Sequence, residues 1–454
     1  MARDWEKLAG EQGKEVPAGR FGRLVRMGSL GVSVGASTVF NKMGKALRFG
    51  KEEPERDARF LTHQAEKVAG VLGQMKGAAM KLGQVLSTDP DLLPAEVVDV
   101  LTGLQSEAPP MTFSMVRKQI EDAFDQPIDS IFDFFDPEPL GAASIGQVHR
   151  ARLLTGEEVA VKIQYPGIRE TLDSDMKNLG TLMSLSRVMI ERKRLDQYLE
   201  EVKGAILDES DYEQEARNIA RFREILSERP GIRVPKPYPE WTRQEVLTME
   251  FIPGQKLDDA LLAMPEGPER QSLLARFVGS YSWMLHVRYE LHCDPHPGNF
   301  LVDEAGNLVF LDFGCVAPID PKFADGLLDL LDACWHGDDD RAAGIYLRLG
   351  FGGSRADESL FDPDVLRTYH DICLAPLIRD EEFDFSSWEM HSRLNRFIFE
   401  NPVFLRWVPP AEGLMVFRVM SGIKGLFTKV GARLNVREMA VDLARDCGRL
   451  SAEP

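Results

Sequence analysis

Three polar side chains in the middle of the chain stand at a spacing that chemistry can use. Asp294 is followed five residues later by Asn299, and Asp312-Phe313-Gly314 begins thirteen residues beyond that. An aspartate such as Asp294 can accept a proton from, or orient, an attacking hydroxyl or water. Asn299 and Asp312 offer hard oxygen atoms of the kind that hold Mg²⁺ against nucleotide phosphates. The run NFLVDEAGNLVFLDFG between them turns at Gly306-Asn307 and reads as a hairpin, which brings both ligands to one metal site. The chemistry implied is phosphoryl transfer.

Upstream, Val159-Ala160-Val161-Lys162 places a lysine on a strand, where it can meet α- and β-phosphates. Gly141-Ala142-Ala143-Ser144-Ile145-Gly146-Gln147-Val148 stands where a phosphate-covering glycine loop belongs, with Val148 fourteen residues before the lysine. Small side chains let backbone N–H groups approach phosphate. Ala143 takes the place of a second glycine and stiffens the turn. Each feature alone has a bland reading: a strand-end lysine, a solvated loop acid, a small-residue turn. In this order, with His292-Cys293-Asp294, Asn299 and Asp312-Phe313-Gly314, they match the protein-kinase pattern of H-x-D-x-x-x-x-N and D-F-G.

The elements that must position these groups follow from periodicity. Phe60, Leu61, Ala65, Val68, Leu72, Met75, Ala79 and Leu82 recur at helical spacing, and prolines 90, 94, 109 and 110 punctuate a helical segment that runs to about Phe124. Residues 125–139 read as an acidic, aromatic connector. From Leu140 the pattern turns to β, with Thr155-Gly156 as a hairpin turn. Helix is expected over roughly 168–228 and 271–289, a buried strand over 245–254, and helix beyond about 320. Leu, Phe and Met at helical spacing over 325–450 read as core packing rather than a lipid groove. The order predicts an α+β, bilobal body. Its divisions are a basic, glycine-containing arm at 1–51, a helical extension at 52–124, a β-rich lobe at 125–254 and a helical lobe at 255–454.

Composition narrows the function classes. Lys+Arg 54 against Asp+Glu 72 gives a net charge of −18, which excludes nucleic-acid binding by the field of the whole molecule. Five scattered cysteines without a CxxC pair argue against a disulfide framework or structural zinc and point to a reducing compartment. No run reaches the 18 apolar residues of a membrane-spanning helix, and the opening MARDWEKLAGEQGKE lacks the apolar core of a secretory signal. These features predict a cytoplasmic protein. Val16 to Lys51, however, holds seven Lys and Arg and no acid, around an uncharged MGSLGVSVGASTVFN stretch. Three readings stand for it: an interfacial arm drawn to an anionic membrane surface, on the inner face, a floppy leader, or a helix docked on the body. The spacing of Gly31 and Gly35 is that of close helix pairs and would suit a homodimer.

Lys81-Leu82-Gly83-Gln84, the GAASIGQVH loop, Glu209-Ser210-Asp211, DPHPGN at 294–299 and the DFG at 312 together resemble the UbiB/AarF family of atypical kinases, over roughly residues 16–436. The late PPAEGLMVFRVMSGIKGLF stretch fits the family too. The resemblance implies a protein-kinase-like fold with an added N-terminal helical (KxGQ) subdomain, ATP and Mg²⁺ as cofactors, and support of isoprenoid-quinone, ubiquinone-like lipid biosynthesis. Its partners would be isoprenoid or phenolic lipids or the enzymes that handle them. It implies that Lys162 pairs with Glu215, and that Lys81, beside Gln84, pairs with Glu209 or Asp211. It further implies that Asp294 is the catalytic base, that Asn299 and Asp312 hold metal, and that Gly141, Ala142, Ala143, Ser144 and Val148 cover phosphate. Glu250 to Ile252 would read adenine through the backbone. His149 and His292 are read as structural. Cys293 stands where the family has alanine, and no closing pair of transmembrane helices is read. After Gly314 the chain goes almost directly into helix, and Cys293 replaces the arginine that would clasp an activation-loop phosphate, which weighs against a peptide substrate. The leading expectation is ATP hydrolysis or phosphotransfer. A non-catalytic, ATP-gated lipid binder and a true protein or small-molecule kinase are the alternatives.

Overall fold

The computed structural model describes residues 111–143, 145–169, 209–353 and 360–452, with isolated positions 172, 203, 204 and 207. The basic arm, Lys81 and Gln84 of the KxGQ segment, and Ser144 therefore lie outside the described residues. The chain divides into two compact units, one drawn from residues up to Arg217 with Lys236–Phe251, the other from Asn218–Pro235 with Ile252–Pro454.

In chain order come helix α1 (Phe113–Phe124), strands β1 (Phe132–Ala143), β2 (Gly146–Leu153) and β3 (Glu158–Gln164), and helix α2 (Tyr212–Leu226). Strands β4 (Ile232–Arg233), β5 (Val246–Glu250) and β6 (Gly254–Lys256) lead to helices α3 (Leu257–Ala263) and α4 (Pro268–Trp283). Then follow β7 (Glu290–His292), β8 (Phe300–Asp303), β9 (Leu308–Phe310) and β10 (Val316–Pro318). The remainder is helical: α5 (Pro321–Trp335), α6 (Asp339–Arg348), α7 (Pro363–Cys373), α8 (Ala375–Ile378), α9 (Met390–Glu400), α10 (Ala411–Val430) and α11 (Val436–Asp446). Only the two-residue strands β11 (Phe383–Asp384) and β12 (Arg433–Leu434) interrupt it. The mixture of helix and sheet expected from the sequence is present.

In the first unit an antiparallel sheet runs in the order β1-β2-β3-β5. Helix α1 starts on Thr112, whose hydroxyl accepts from the Met115 amide at 3.4 Å. Val116, Ile120 and Phe124, four apart, form its buried stripe and join Phe135, Val161 and Val246 in one core. The sequence reading placed a connector over 125–139, but β1 begins at Phe132. Pro137 and Pro139 mask the alternation, and the register against β2 shifts at Pro139. Proline is tolerated there because β1 is an edge strand.

In the second unit β4-β9-β8-β6 form one sheet and β10 pairs with β7. The β8–β9 hairpin is tied by Asp303, which accepts from the Ala305 and Asn307 amides at 3.0 and 2.8 Å, and Gly306 supplies the φ of +78° that the turn needs. Phe277 of α4, Phe300 and Phe310 pack edge to face at 5.0 Å between ring centres and fix the hairpin on the helices. Among the described residues no helix is long and apolar enough to cross a membrane.

Candidate active site

The first unit carries Lys162 in the middle of the sheet, opposite Val148 on β2 and Leu247 on β5. Its ammonium donates to both oxygens of Glu215, at 3.1 and 3.0 Å, and lies 4.9 Å from the centre of the Tyr212 ring. Both charged side chains are buried, with 3% and 2% of their surface exposed. The lysine–glutamate pair expected from the resemblance is therefore formed. Asp211 is the helix cap rather than a free acid: its carboxylate accepts from the Gln214 amide at 2.9 Å. Glu209 is buried two residues earlier.

The glycine-loop analogue is part of a hairpin. Gly141, Ala142 and Ala143 belong to β1 and pair with Val148, Gln147 and Gly146. Ile145 is buried and its carbonyl accepts from the Tyr165 amide at 2.9 Å. Gly146 is required by packing, since a Cβ there would meet the Ile163 carbonyl oxygen at 2.1 Å. Gly141 is exposed with open space around it, and Val148 is half-buried. Beneath the hairpin a chain of buried hydrogen bonds runs from the Met111 amide to Gln147 Oε1 (2.8 Å), from Gln147 Nε2 to His149 Nε2 (2.7 Å), and from His149 Nδ1 to the Asp136 carbonyl (2.8 Å). Because a carbonyl only accepts, Nδ1 carries the ring proton, and burial holds the ring neutral by lowering its pKa. The structural reading of His149 stands on that chain. At the end of β5 the Glu250 and Phe251 amides already donate, to the Lys236 and Glu158 carbonyls at 2.8 and 3.1 Å, and Ile252 is buried.

The second unit carries the three residues that opened the sequence reading. Asn299 donates its side-chain nitrogen to Asp294, to the carbonyl at 3.1 Å and to Oδ2 at 3.0 Å. Its amide oxygen is thereby turned away from Asp294. The Leu311 amide donates to the Asn299 carbonyl at 2.9 Å, closing the base of the β8–β9 hairpin one residue before Asp312. Asn299 and Asp312 thus sit at the same end of one hairpin. Asp312 Oδ1 accepts from the Gly314 amide at 3.0 Å, which orients the carboxylate within the DFG turn. Asp294, Asn299 and Asp312 are all half-buried. A donor set of one amide and carboxylate oxygens, with no thiol or imidazole, fits Mg²⁺.

Buried groups behind this face hold it. His292 Nε2 bonds the Asp312 carbonyl at 2.7 Å and Tyr281 Oη bonds His292 Nδ1 at 3.0 Å. Nε2 therefore carries the proton and the tyrosine donates to Nδ1. Burial lowers the His292 pKa, keeping the ring neutral, and raises that of Tyr281 well above its ordinary value. The Cys293 thiol is fully buried and donates to the Leu291 carbonyl at 3.2 Å, and the neighbouring Cys315 thiol, followed by burial, holds it protonated. Sequence reasoning missed two further supports. Asn218 of α2, one turn beyond Glu215, donates to the Phe313 carbonyl at 2.9 Å, and its i+3 spacing from Glu215 was the available signal. Gly422 of α10 lies on Pro295, where a Cβ would come within 2.4 Å of the proline Cγ.

Residues 103–346 match the family model described as the ABC1 atypical kinase-like domain. Among curated relatives, the mitochondrial atypical kinase coq-8 of Caenorhabditis elegans is 29% identical over 92% of this chain and 56% of its own. The mitochondrial atypical kinase COQ8B of Rattus norvegicus is 29% identical over 94% of this chain and 81% of its own. The chloroplastic ACTIVITY OF BC1 COMPLEX KINASE 8 of Arabidopsis thaliana is 36% identical over 60% of this chain and 36% of its own. The chain covers 81% of COQ8B but only about a third to somewhat over half of the length of coq-8, ACTIVITY OF BC1 COMPLEX KINASE 8 and an uncharacterised Synechocystis relative. Among solved structures, Rv3197 of Mycobacterium tuberculosis, determined in complex with erythromycin, matches with a TM-score of 0.56 at 26% identity, over 88% of this chain and 99% of its own.

Proposed function

This chain belongs to the ABC1 atypical kinase-like family, and from that premise we propose that it is a Mg²⁺-dependent ATP-binding atypical kinase or ATPase acting in isoprenoid-quinone lipid biosynthesis. The observation that carries the reading is the Asp294–Asn299 pair on a hairpin whose base is closed by the Leu311–Asn299 hydrogen bond. Asn299 and Asp312 would hold the metal, which neutralises phosphate charge when bound. Asp294, hydrogen-bonded by Asn299, would orient and deprotonate a hydroxyl or water. Lys162, kept in place and charged by Glu215, would meet the α- and β-phosphates. Lys81 would pair with Glu209 and restrain the nucleotide, and the basic arm would meet an anionic membrane surface.

The β1–β2 connection refines the nucleotide end of this reading. Gly141, Ala142, Ala143 and Val148 lie along the paired end of the β1–β2 hairpin, and phosphate would be met there and at Ser144. With the Glu250 and Phe251 amides engaged, adenine would be read by carbonyls and by Ile252. The alternative is a nucleotide-gated binder that performs no chemistry.

Phosphate release from ATP by the full chain, with and without anionic liposomes or quinone-like phenols, tests the proposal. The expected result is Mg²⁺-dependent release that rises with either addition. Nucleotide binding without release under any lipid condition would leave the binder reading in its place.

A further inference from the structure

The helices of the second unit line a partly open cavity of about 210 Å³ whose walls are almost wholly apolar. The core packing expected over 325–450 is present, with Leu331, Leu374 and Ala440 buried in one cluster, and the cavity opens beside it. Leu331 of α5, Leu377 of α8, Ala440 of α11 and Met420 of α10 are among the residues that line it. Apolar walls of a partly open cavity stay in contact with water unless a ligand covers them, and covering them is favourable.

The polar groups in the lining are mostly engaged with the protein itself. Tyr346 Oη bonds His370 Nε2 at 3.1 Å, Trp388 donates to the Ile372 carbonyl at 2.9 Å, and Tyr281 bonds His292. Lys424 is the exception. This half-buried side chain of α10 lines the cavity with its ammonium 5.7 Å from the Trp388 ring centre, and among the described residues it has no ion pair. Burial lowers its pKa, which an anionic partner would reverse. A cation without its counter-charge on the wall of an apolar cavity is complementary to an amphiphile with an acidic head.

We propose that this cavity is a binding site for a single-chain amphiphile, its apolar tail among α5, α8, α10 and α11 and its anionic head at Lys424. The apolar walls suit a tail of methylene or isoprenoid groups. The site lies within one unit, uses none of the residues assigned to nucleotide or metal, and does not depend on that assignment. The head is a carboxylate if the source is an acyl chain and a phosphate if it is a prenyl chain.

Titrating the full chain with decanoate, geranyl phosphate, decanol and decylamine, below their micellar concentrations and followed by Trp388 fluorescence and calorimetry, tests the proposal. Either anionic probe is expected to bind saturably, at least tenfold more tightly than decylamine, and the tighter of the two identifies the source. Lys424→Gln should abolish that preference while decanol binding persists. Ala440→Leu and Cys373→Met, which intrude on the cavity, should each weaken the anionic probes at least tenfold. Equal affinity for both head charges in the unaltered chain, no saturable binding of either anion, or binding unchanged in both intruding variants would overturn it.

Discussion

The residues proposed for nucleotide and metal are held by different means in the two units. In the first unit Lys162 and Glu215 neutralise each other in near-complete burial. In the second, Asp294, Asn299 and Asp312 stay half-buried and are oriented by neutral hydrogen bonds from a side-chain amide and backbone amides. A buried ion pair is a rigid fixture, since neither charge can be uncovered without its partner. The contrast is between a buried ion pair in the first unit and half-buried polar side chains in the second, where Asn299 donates to Asp294 and the Gly314 amide to Asp312.

The comparison breaks most visibly at the half-buried set. Asp312→Asn should leave the fold intact, as the amide can still accept from Gly314, yet reduce ATP turnover on the order of 1,000-fold. Phosphate release beside a thermal melt reads both effects. On the buried side, Glu215→Gln strands the Lys162 ammonium in the sheet and should cost about 3–5 kcal/mol by urea unfolding. A Lys162→Met, Glu215→Leu double variant should recover most of that stability and no turnover. A third prediction separates positioning from stability on one helix. Gly422→Ala pushes against Pro295 and should lower turnover about tenfold, whereas Gly425→Ala, which meets nothing within 4 Å, should stabilise by about 0.5–1 kcal/mol and leave turnover unchanged.

The smallest effect is one of pH. Burial lowers the pKa of His286 and of His370 from 6.5 to about 4. Below pH 6.5 the unfolded chain therefore binds protons that the folded one refuses. Stability contributed by these rings is complete above that pH and falls by about 1.4 kcal/mol per pH unit for each histidine down to pH 4. Unfolding free energies measured at several pH values should show the slope, and His370→Gln should lessen it.

Much of the site was legible because its parts are local in sequence. Asp294, Asn299 and Asp312 fall within nineteen positions, and the Asp303–Gly306 turn between them carries its own signals. The Lys162–Glu215 pair spans 53 positions and rested on resemblance alone. Strand β1 was hidden by prolines that only its edge position excuses. The small residues of 141–148 are read as letting phosphate approach, because small residues signal close approach without saying what approaches: at Gly146 it is the Ile163 carbonyl. Gly422 and the cavity around Lys424 depend on how helices distant in sequence meet, and periodicity does not show where a cavity opens beside a packed core.

The central claim is that Asp294 does chemistry on a nucleotide that the other groups only hold. Asp294→Asn in the full chain tests it, with Mg²⁺·ATP affinity and phosphate release measured on the same sample. The account predicts affinity within a few-fold of the unaltered chain and release at least 100-fold slower. Release undiminished in the variant would contradict it.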